Sequence, residues 1–182
     1  DEVLDSYRLD RHRCLLDVGG GEGVFGESAA ARNPDLKVMV FDLPAVADRA
    51  KARLTGRGLD KRIDTIGGDF LADPLPTGAD VISLVRVILD HDDANALRIL
   101  KGIHAALPQD GVLLLAEPLA ETPGAEPVGT YFNMYLRAMG RGRPRNFDQI
   151  SALLTKAGFD QIRLKVGRHV LRTGVVTATP QR

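Results

Sequence analysis

Cys14-Leu15-Leu16-Asp17-Val18-Gly19-Gly20-Gly21-Glu22-Gly23 is the stretch on which the reading of this chain turns. A short apolar run ends in an acid, and four glycines fall within residues 19–23. Val24-Phe25-Gly26-Glu27-Ser28-Ala29-Ala30-Ala31 follows and suits a helix. Strand, glycine turn and helix together form the pattern of a nucleotide-cofactor site. Glycines let the backbone turn tightly and approach a ligand where a Cβ would collide, and the helix start behind them presents free N–H groups. Glycine-rich turns also arise by chance, so the cofactor has to be read from the rest of the chain.

Outward from this stretch the pattern repeats. Leu36 to Phe41 reads as a second buried strand, and Asp42 follows it. Leu43-Pro44 opens a helix running to about Gly56-Arg57-Gly58, with proline at the first turn, where a missing N–H costs little. Ile63 to Ile66 is a short third strand ended by Gly67-Gly68-Asp69-Phe70. Val81 to Val87 is nearly all apolar, as expected of a strand covered on both faces. Asp92 or Asp93 caps the next helix, with Leu97, Leu100, Ile103 and Leu107 as its apolar stripe. Val112 to Ala116 is a fifth strand, with Glu117-Pro118 at its end. Tyr131 to Met139 and Phe147 to Ala157 read as helices. Gln161 to Val166 and Val170 to Thr177 read as strands joined at Gly167-Arg168, a link short enough to require an antiparallel hairpin. The expectation is an α/β domain over residues 1–182, with a mainly parallel seven-stranded sheet and a C-terminal antiparallel hairpin.

The bulk composition excludes several classes. Lysine plus arginine and aspartate plus glutamate balance at 24 each, so nothing draws the chain to nucleic acid or an anionic membrane. No apolar run reaches the length of a membrane span. The single cysteine, Cys14, rules out an internal disulfide, reads as a small core residue and fits a reducing, cytoplasmic setting. No cysteine and histidine cluster has metal-ligand spacing, so no catalytic metal is expected. Asp1 to Arg13 is polar and charged and starts abruptly, as if an earlier part of a longer protein were missing.

In an open α/β sheet, ligands bind beyond the carboxyl ends of the strands. Asp17, Asp42, Asp69, the cluster after Val87 and Glu117 all stand at such ends. A nicotinamide cofactor would put its pyrophosphate on the glycines and its ribose diol on Asp42. S-adenosylmethionine (SAM) has no phosphate, carries a sulfonium and an ammonium, and its adenine amine needs an acceptor. Three strand-end acids suit it better: Asp17 near the methionine end, Asp42 for the ribose, and Asp69 for the adenine, with Phe70 flanking the ring. Each acid alone fits a helix cap or a solvated loop equally well; it is the set, with the glycines, that favours SAM.

Leu16 to Gly23, Phe41-Asp42-Leu43-Pro44, Gly67-Gly68-Asp69-Phe70, Asp90-His91-Asp92-Asp93 and Ala116-Glu117-Pro118 occur in this order. With this ordered set the chain resembles the class I SAM-dependent O-methyltransferases of the plant caffeate and bacterial small-molecule type. A closer resemblance, to the hydroxyneurosporene and demethylspheroidene enzymes acting on carotenoids, rests on Glu117 to Pro127, Tyr131-Phe132 and Met139 to Arg145. The resemblance implies a Rossmann-like class I methyltransferase fold. It implies SAM contacts from Gly19 in the first turn and Asp42 after the second strand; Asp17, Gly21, Gly23 and Leu43 beside them complete the candidate set there. Asp69 and Phe70 follow after the third, and Val85 or Arg86 stands where the family has a basic residue. It also implies an N-terminal helical domain, absent from this chain, that makes a homodimer and lines the pocket for a small hydroxylated substrate.

The family's histidine base aligns with Leu89, its aspartate with Asp90 and its tryptophan with His91. A first supporting glutamate falls at Glu117 and a second at Pro144. Two routes follow. His91, with Asp90 or Asp92 orienting it and Glu117 in support, takes the substrate proton from a shifted loop. Or no strong base exists, and positioning alone drives transfer to an aliphatic alcohol such as a hydroxylated carotenoid. His91 also fits as the start of the helix at Asp92-Asp93. Tyr131, Phe132, Asn133, Met134 and Tyr135 suit a substrate cavity or plain helix packing. His12, His104 and His169 have no partner pattern, and Arg141, Arg143 and Arg145 read as a solvated basic run. Beside the carotenoid enzyme stand a methyltransferase of aromatic or polyketide metabolites, a nicotinamide oxidoreductase and a non-catalytic SAM-binding assembly domain. The oxidoreductase is disfavoured by Asp69 and by the lack of a Tyr-x-x-x-Lys pair.

Overall fold

Successive residues of the apolar runs feed two separate cores, which is why those runs show no polar alternation. In a computed structural model, which describes residues 2–120, 142–166 and 173–181, Leu16, Ile82, Leu113 and Leu115 join one core. Leu15, Val81, Leu114 and Ala116 join the other. The elements are α1 (Glu2–Ser6), β1 (Cys14–Val18), α2 (Val24–Arg32), β2 (Lys37–Asp42), α3 (Pro44–Gly56) and β3 (Ile63–Gly67). Next come β4 (Val81–Val85), a 3-10 turn (Ile88–Asp90), α4 (Asp93–Ala106) and β5 (Val112–Pro118). Then follow α5 (Phe147–Lys156), β6 (Phe159–Val166) and β7 (Thr173–Pro180).

Among the described residues these strands form one seven-stranded sheet in the order β3-β2-β1-β4-β5-β7-β6. The pairs β1–β2, β1–β4, β2–β3 and β4–β5 are parallel; β7 is antiparallel to both β5 and β6. The order reverses at β1 and β4, where Asp17 stands opposite Ser83. This reversal opens a crevice at the carboxyl ends of the two strands. The glycine turn leaves β1 there, and the 3-10 turn follows β4 there.

The predicted α/β architecture and the antiparallel C-terminal pair are present, with local differences. β4 stops at Val85, not Val87, because Arg86 takes a left-handed φ of 59° and the chain then coils into the 3-10 turn. β6 starts at Phe159, two residues early, and absorbs the extra length as a register irregularity between Asp160 and Arg163, with Gln161 at a φ of 49°. β7 runs past Thr177 to Pro180, held by β5 pairs from Leu113–Ala178 to Pro118–Thr173. The expected helix at Tyr131 to Met139 and the link at Gly167-Arg168 lie outside the described residues.

In α4 the buried stripe is Ala96, Ile99, Leu100 and Ile103, with Leu97 only half-buried, so the face is turned slightly from the expected one. Asp92 is the cap, its carboxylate accepting the Asn95 N–H at 2.8 Å. Cys14 is half-buried, and burial pushes its thiol pKa up, as for an inert core thiol. The polar N-terminal segment holds a short helix that the sequence pattern does not announce, and its Val3 and Leu4 are buried. His12 has partners after all: its Nε2 lies 2.8 Å from the Tyr7 hydroxyl and its Nδ1 3.3 Å from Asp80. His104 packs edge-on against Phe159. His169 lies outside the described residues.

Leu100 is fully buried between α4 and the sheet. Leu100→Ala removes that packing and leaves a cavity, so it should cost about 2–5 kcal/mol of stability in urea denaturation.

Candidate active site

The crevice is built from the glycine turn inward. Gly19, Gly21 and Gly23 hold left-handed φ values of 68°, 58° and 78°. The Gly19 N–H donates to the Phe41 carbonyl at 2.8 Å and the Gly21 N–H to Asp42 Oδ2 at 2.8 Å, so β2 fixes the turn. Gly23 caps α2 with its backbone alone. At Gly20 a Cβ would stand 2.5 Å from Asp17 Oδ2 and 2.9 Å from Val40, so the close approach there requires glycine.

Asp17 is 1 % exposed. Its Oδ1 accepts the Ser83 hydroxyl at 2.6 Å, while its Oδ2 is buried with no partner. Burial pushes its pKa up to about 7; the Ser83 hydrogen bond opposes the rise and the Asp42 charge adds to it. An orphaned carboxylate oxygen is costly in a finished interior and is what a cationic group would satisfy. Asp17, Gly19, Gly20, Val85 and Arg86 line one open cavity of about 450 Å³.

Asp42 keeps both oxygens on backbone N–H groups, Oδ2 on Gly21 and Oδ1 on Leu43 at 2.7 Å. Each oxygen retains a lone pair for a further donor. Leu43 itself caps α3 and is exposed beside Asp42. Asp69 turns its Oδ1 to the Leu71 N–H at 2.8 Å, and Phe70 packs against the His91 ring edge-on with centroids 5.5 Å apart. Gly19 faces Val87 and, 3.7 Å from where its Cβ would be, Phe70. The structure therefore brings the first, third and fourth strand ends to one crevice, with Asp42 holding the turn from the second.

Glu117 is not solvated. It is 2 % exposed, and its Oε1 accepts the Val87 and Ile88 N–H groups, each at 2.9 Å. Its Oε2 is buried without a partner. Burial pushes its pKa up to about 8; the backbone N–H groups oppose the rise and Asp90 adds to it. Glu117 thus props the turn that carries Asp90 and His91. Leu89, in the position of the expected base, is buried. Burial lowers the His91 pKa, and Asp90 and Asp92 oppose this. Burial raises the Asp90 pKa, opposed by His91.

The solvated reading of the basic run is corrected at Arg145. Arg143 pairs with Asp93 at 2.8 Å, and Arg145 is buried, its guanidinium turned onto the loop at Ile88 to Asp93. Alternating arginines in a glycine-rich segment read as surface, and only the orphan carbonyls of a distant loop explain the burial. Arg141 and the aromatic run from Tyr131 to Tyr135 lie outside the described residues.

Residues 1–160 match the family model of the O-methyltransferase domain. The chain belongs to this family. Demethylspheroidene O-methyltransferase of Cereibacter sphaeroides is 43% identical over 181 residues, 98% of this chain and 47% of that protein. Acetylserotonin O-methyltransferase of Mus musculus is 34% identical over 168 residues, 90% of this chain and 43% of that protein. Human N-acetylserotonin methyltransferase, solved in complex with SAM, superposes with a TM-score of 0.88 at 26% identity, covering 100% of this chain and 51% of that one. The chain spans about half the length of these relatives. The fold is the Rossmann-like class I methyltransferase fold, and S-adenosyl-L-methionine is the cofactor that goes with the family. The orphaned Asp17 oxygen, the close Gly20 approach and the spare lone pairs of Asp42 fit that cofactor. Among the described residues no group of three or more His, Cys, Asp or Glu is arranged to hold a metal, and no helix is long and apolar enough to cross a membrane.

Two predictions follow from this geometry. Gly20→Ala should weaken binding of S-adenosylhomocysteine in calorimetry by about tenfold or more, because the methyl group displaces Asp17 or the turn. Glu117, with its pKa raised from 4.5 to about 8, keeps a proton in the folded state that the unfolded chain loses first. Its contribution to stability is therefore lost as pH rises through that window. Urea denaturation across pH 5 to about 8 should show the parent losing stability more steeply than Glu117→Gln; parallel slopes would mean an ordinary, ionised Glu117.

Proposed function

We propose that this chain is the catalytic part of a SAM-dependent O-methyltransferase acting on a hydroxyl of a lipophilic small molecule, a hydroxylated carotenoid in first place. The observation that carries the reading is Asp17, a buried carboxylate with one unsatisfied oxygen beneath a glycine turn at the sheet's reversal point. The carotenoid acceptor is supported by the 43% identity to a demethylspheroidene enzyme across nearly the whole chain. An aromatic or polyketide acceptor is the second reading, supported by the likeness to acetylserotonin enzymes.

The bound cofactor supplies the methyl group and its leaving group. Asp17 offers a negative field to the cationic methionine end, Asp42 accepts from the ribose hydroxyls, and Asp69 and Phe70 hold the adenine. Arg86 and Leu43 border the same crevice. His91 is the one imidazole near the crevice among the described residues, and burial favours its neutral form, the form that can accept a proton. Asp90 supports it electrostatically, and Glu117 acts through the turn beneath both. A phenol with a pKa of roughly 10 would give its proton to such a base. An aliphatic alcohol loses its proton only during attack, so the placement of its oxygen supplies most of the rate. We further propose that the whole protein is a cytoplasmic homodimer in which this single domain, residues 1–182, works beside a helical dimerisation half.

Calorimetry with S-adenosylhomocysteine should show saturable binding, with no binding of NAD. Asp42→Ala should weaken that binding about tenfold or more through the lost charge-assisted hydrogen bonds, while His91→Ala should leave it unchanged. On a phenolic acceptor His91→Ala should lower turnover by about 10²–10⁴-fold. A much smaller loss on a hydroxycarotenoid would identify the route that relies on positioning. Cofactor binding without turnover on either acceptor would point to a non-catalytic SAM-binding assembly domain.

A further inference from the structure

A guanidinium is seldom buried, because its charge must be matched by acceptors placed for its planar fork. The Arg145 side chain is 1 % exposed. Its Nη1 donates to the Ile88 carbonyl at 2.7 Å and its Nη2 to the His91 carbonyl at 2.8 Å. Its Nε and Nη2 both donate to Asp93 Oδ1, at 2.9 and 2.7 Å. These acceptors all belong to the short segment from Ile88 to Asp93, which leads from β4 into the first residue of α4. The start of the same segment is held from below by Glu117, which takes the Val87 and Ile88 N–H groups. The buried guanidinium therefore satisfies the segment's carbonyls, and the buried Glu117 carboxyl its N–H groups.

The neighbouring backbone is shaped to the same end. Gly142 has a φ of 80°, and a Cβ there would run into the Leu89 carbonyl, so the strand of chain leading to Arg145 lies directly on the turn. The Ala120 N–H donates to the Arg145 carbonyl at 3.0 Å, which fixes the base of the side chain to the end of β5. The grip falls on the peptide of His91 itself, and the His91 ring is the part of the segment that meets Phe70 at the crevice.

We propose that Arg145 is a positioning residue that sets His91 against Phe70 at the methyl-transfer site. Its importance for turnover rests on the reading of His91 given above; its grip on the His91 peptide does not. A lysine at this position keeps the charge but has one compact ammonium, which cannot span the Ile88 and His91 carbonyls and Asp93 together.

The test is made on the full chain with isotopically labelled histidine, followed by NMR. His91→Gln identifies the His91 ring signals, and Phe70→Leu gives their position once the ring contact is lost. Arg145→Lys should move the His91 signals to the position seen in Phe70→Leu, leaving the other three histidines in place and unfolding still cooperative. Asp93→Asn keeps the two carbonyl contacts and should shift the same signals part of the way. A purely structural arginine would move all the histidines or none. Parental His91 signals in whichever of these two variants folds overturn the proposal. Turnover should fall in Arg145→Lys by on the order of 10²-fold with unchanged S-adenosylhomocysteine affinity. If the His91 signals move but His91→Ala keeps parental turnover, the grip stands and the proton-accepting role of His91 falls.

Discussion

Strand β1 is paired in parallel on both sides, with β2 and with β4, and the chain leaves these neighbours by crossing over in opposite directions. No helix can fill the gap between the two departures. The polar groups at the ends of β1 and β4 are therefore left to each other and to whatever enters the crevice. The Ser83 hydroxyl turns to Asp17, and Glu117 reaches back from β5 to the N–H groups after β4. Every other feature of the site hangs on this vacancy in the helix layer. The glycine turn has room to curl over it, and Phe70 and His91 form a wall along it.

Two carboxyl groups with raised pKa values lie under this crevice, and they do different work. Asp17 has one oxygen tied and one orphaned beside a cavity, so its burial is a cost that a cation can relieve. Glu117 is also half satisfied, but its tied oxygen holds two backbone N–H groups that no strand or helix claims. The first is poised toward a ligand, the second toward the shape of a loop. Their similar environments arise because a strand end that faces a crevice is buried on three sides before any ligand arrives.

Much of the architecture was legible because it is local. Apolar runs broken by glycine and proline fixed the strands, Asp92 marked its helix start, and the acids at the strand ends marked the crevice. What escaped was set by contacts distant in the chain. Arg145 reads as one charge in a basic run, and its burial is decided by carbonyls and a carboxylate more than fifty residues earlier. Glu117 reads as a pocket-facing support for His91, and only the fold turns it onto the N–H groups after β4. The early end of β4 follows from the left-handed turn at Arg86, a conformation that no local residue pattern demands. His12 found Tyr7 and Asp80 for the same reason: the sheet, not the sequence spacing, brings Asp80 beside the N-terminal segment.

The place of β7 in the sheet has a consequence for how the protein is made. β7 lies between β5 and β6, and Glu117 pairs with Gly174 across it. During synthesis β5 emerges well before β7, and in the interval it is an edge strand with an uncovered rim of backbone N–H and C=O groups. The β5 edge is thus covered only once Thr173 to Pro180 have been made. A nascent chain halted short of β7 would carry the glycine turn and an unfinished crevice. It would also expose a strand edge that invites pairing with another copy, so β7 protects that edge from aggregation as well as joining β6 to the sheet.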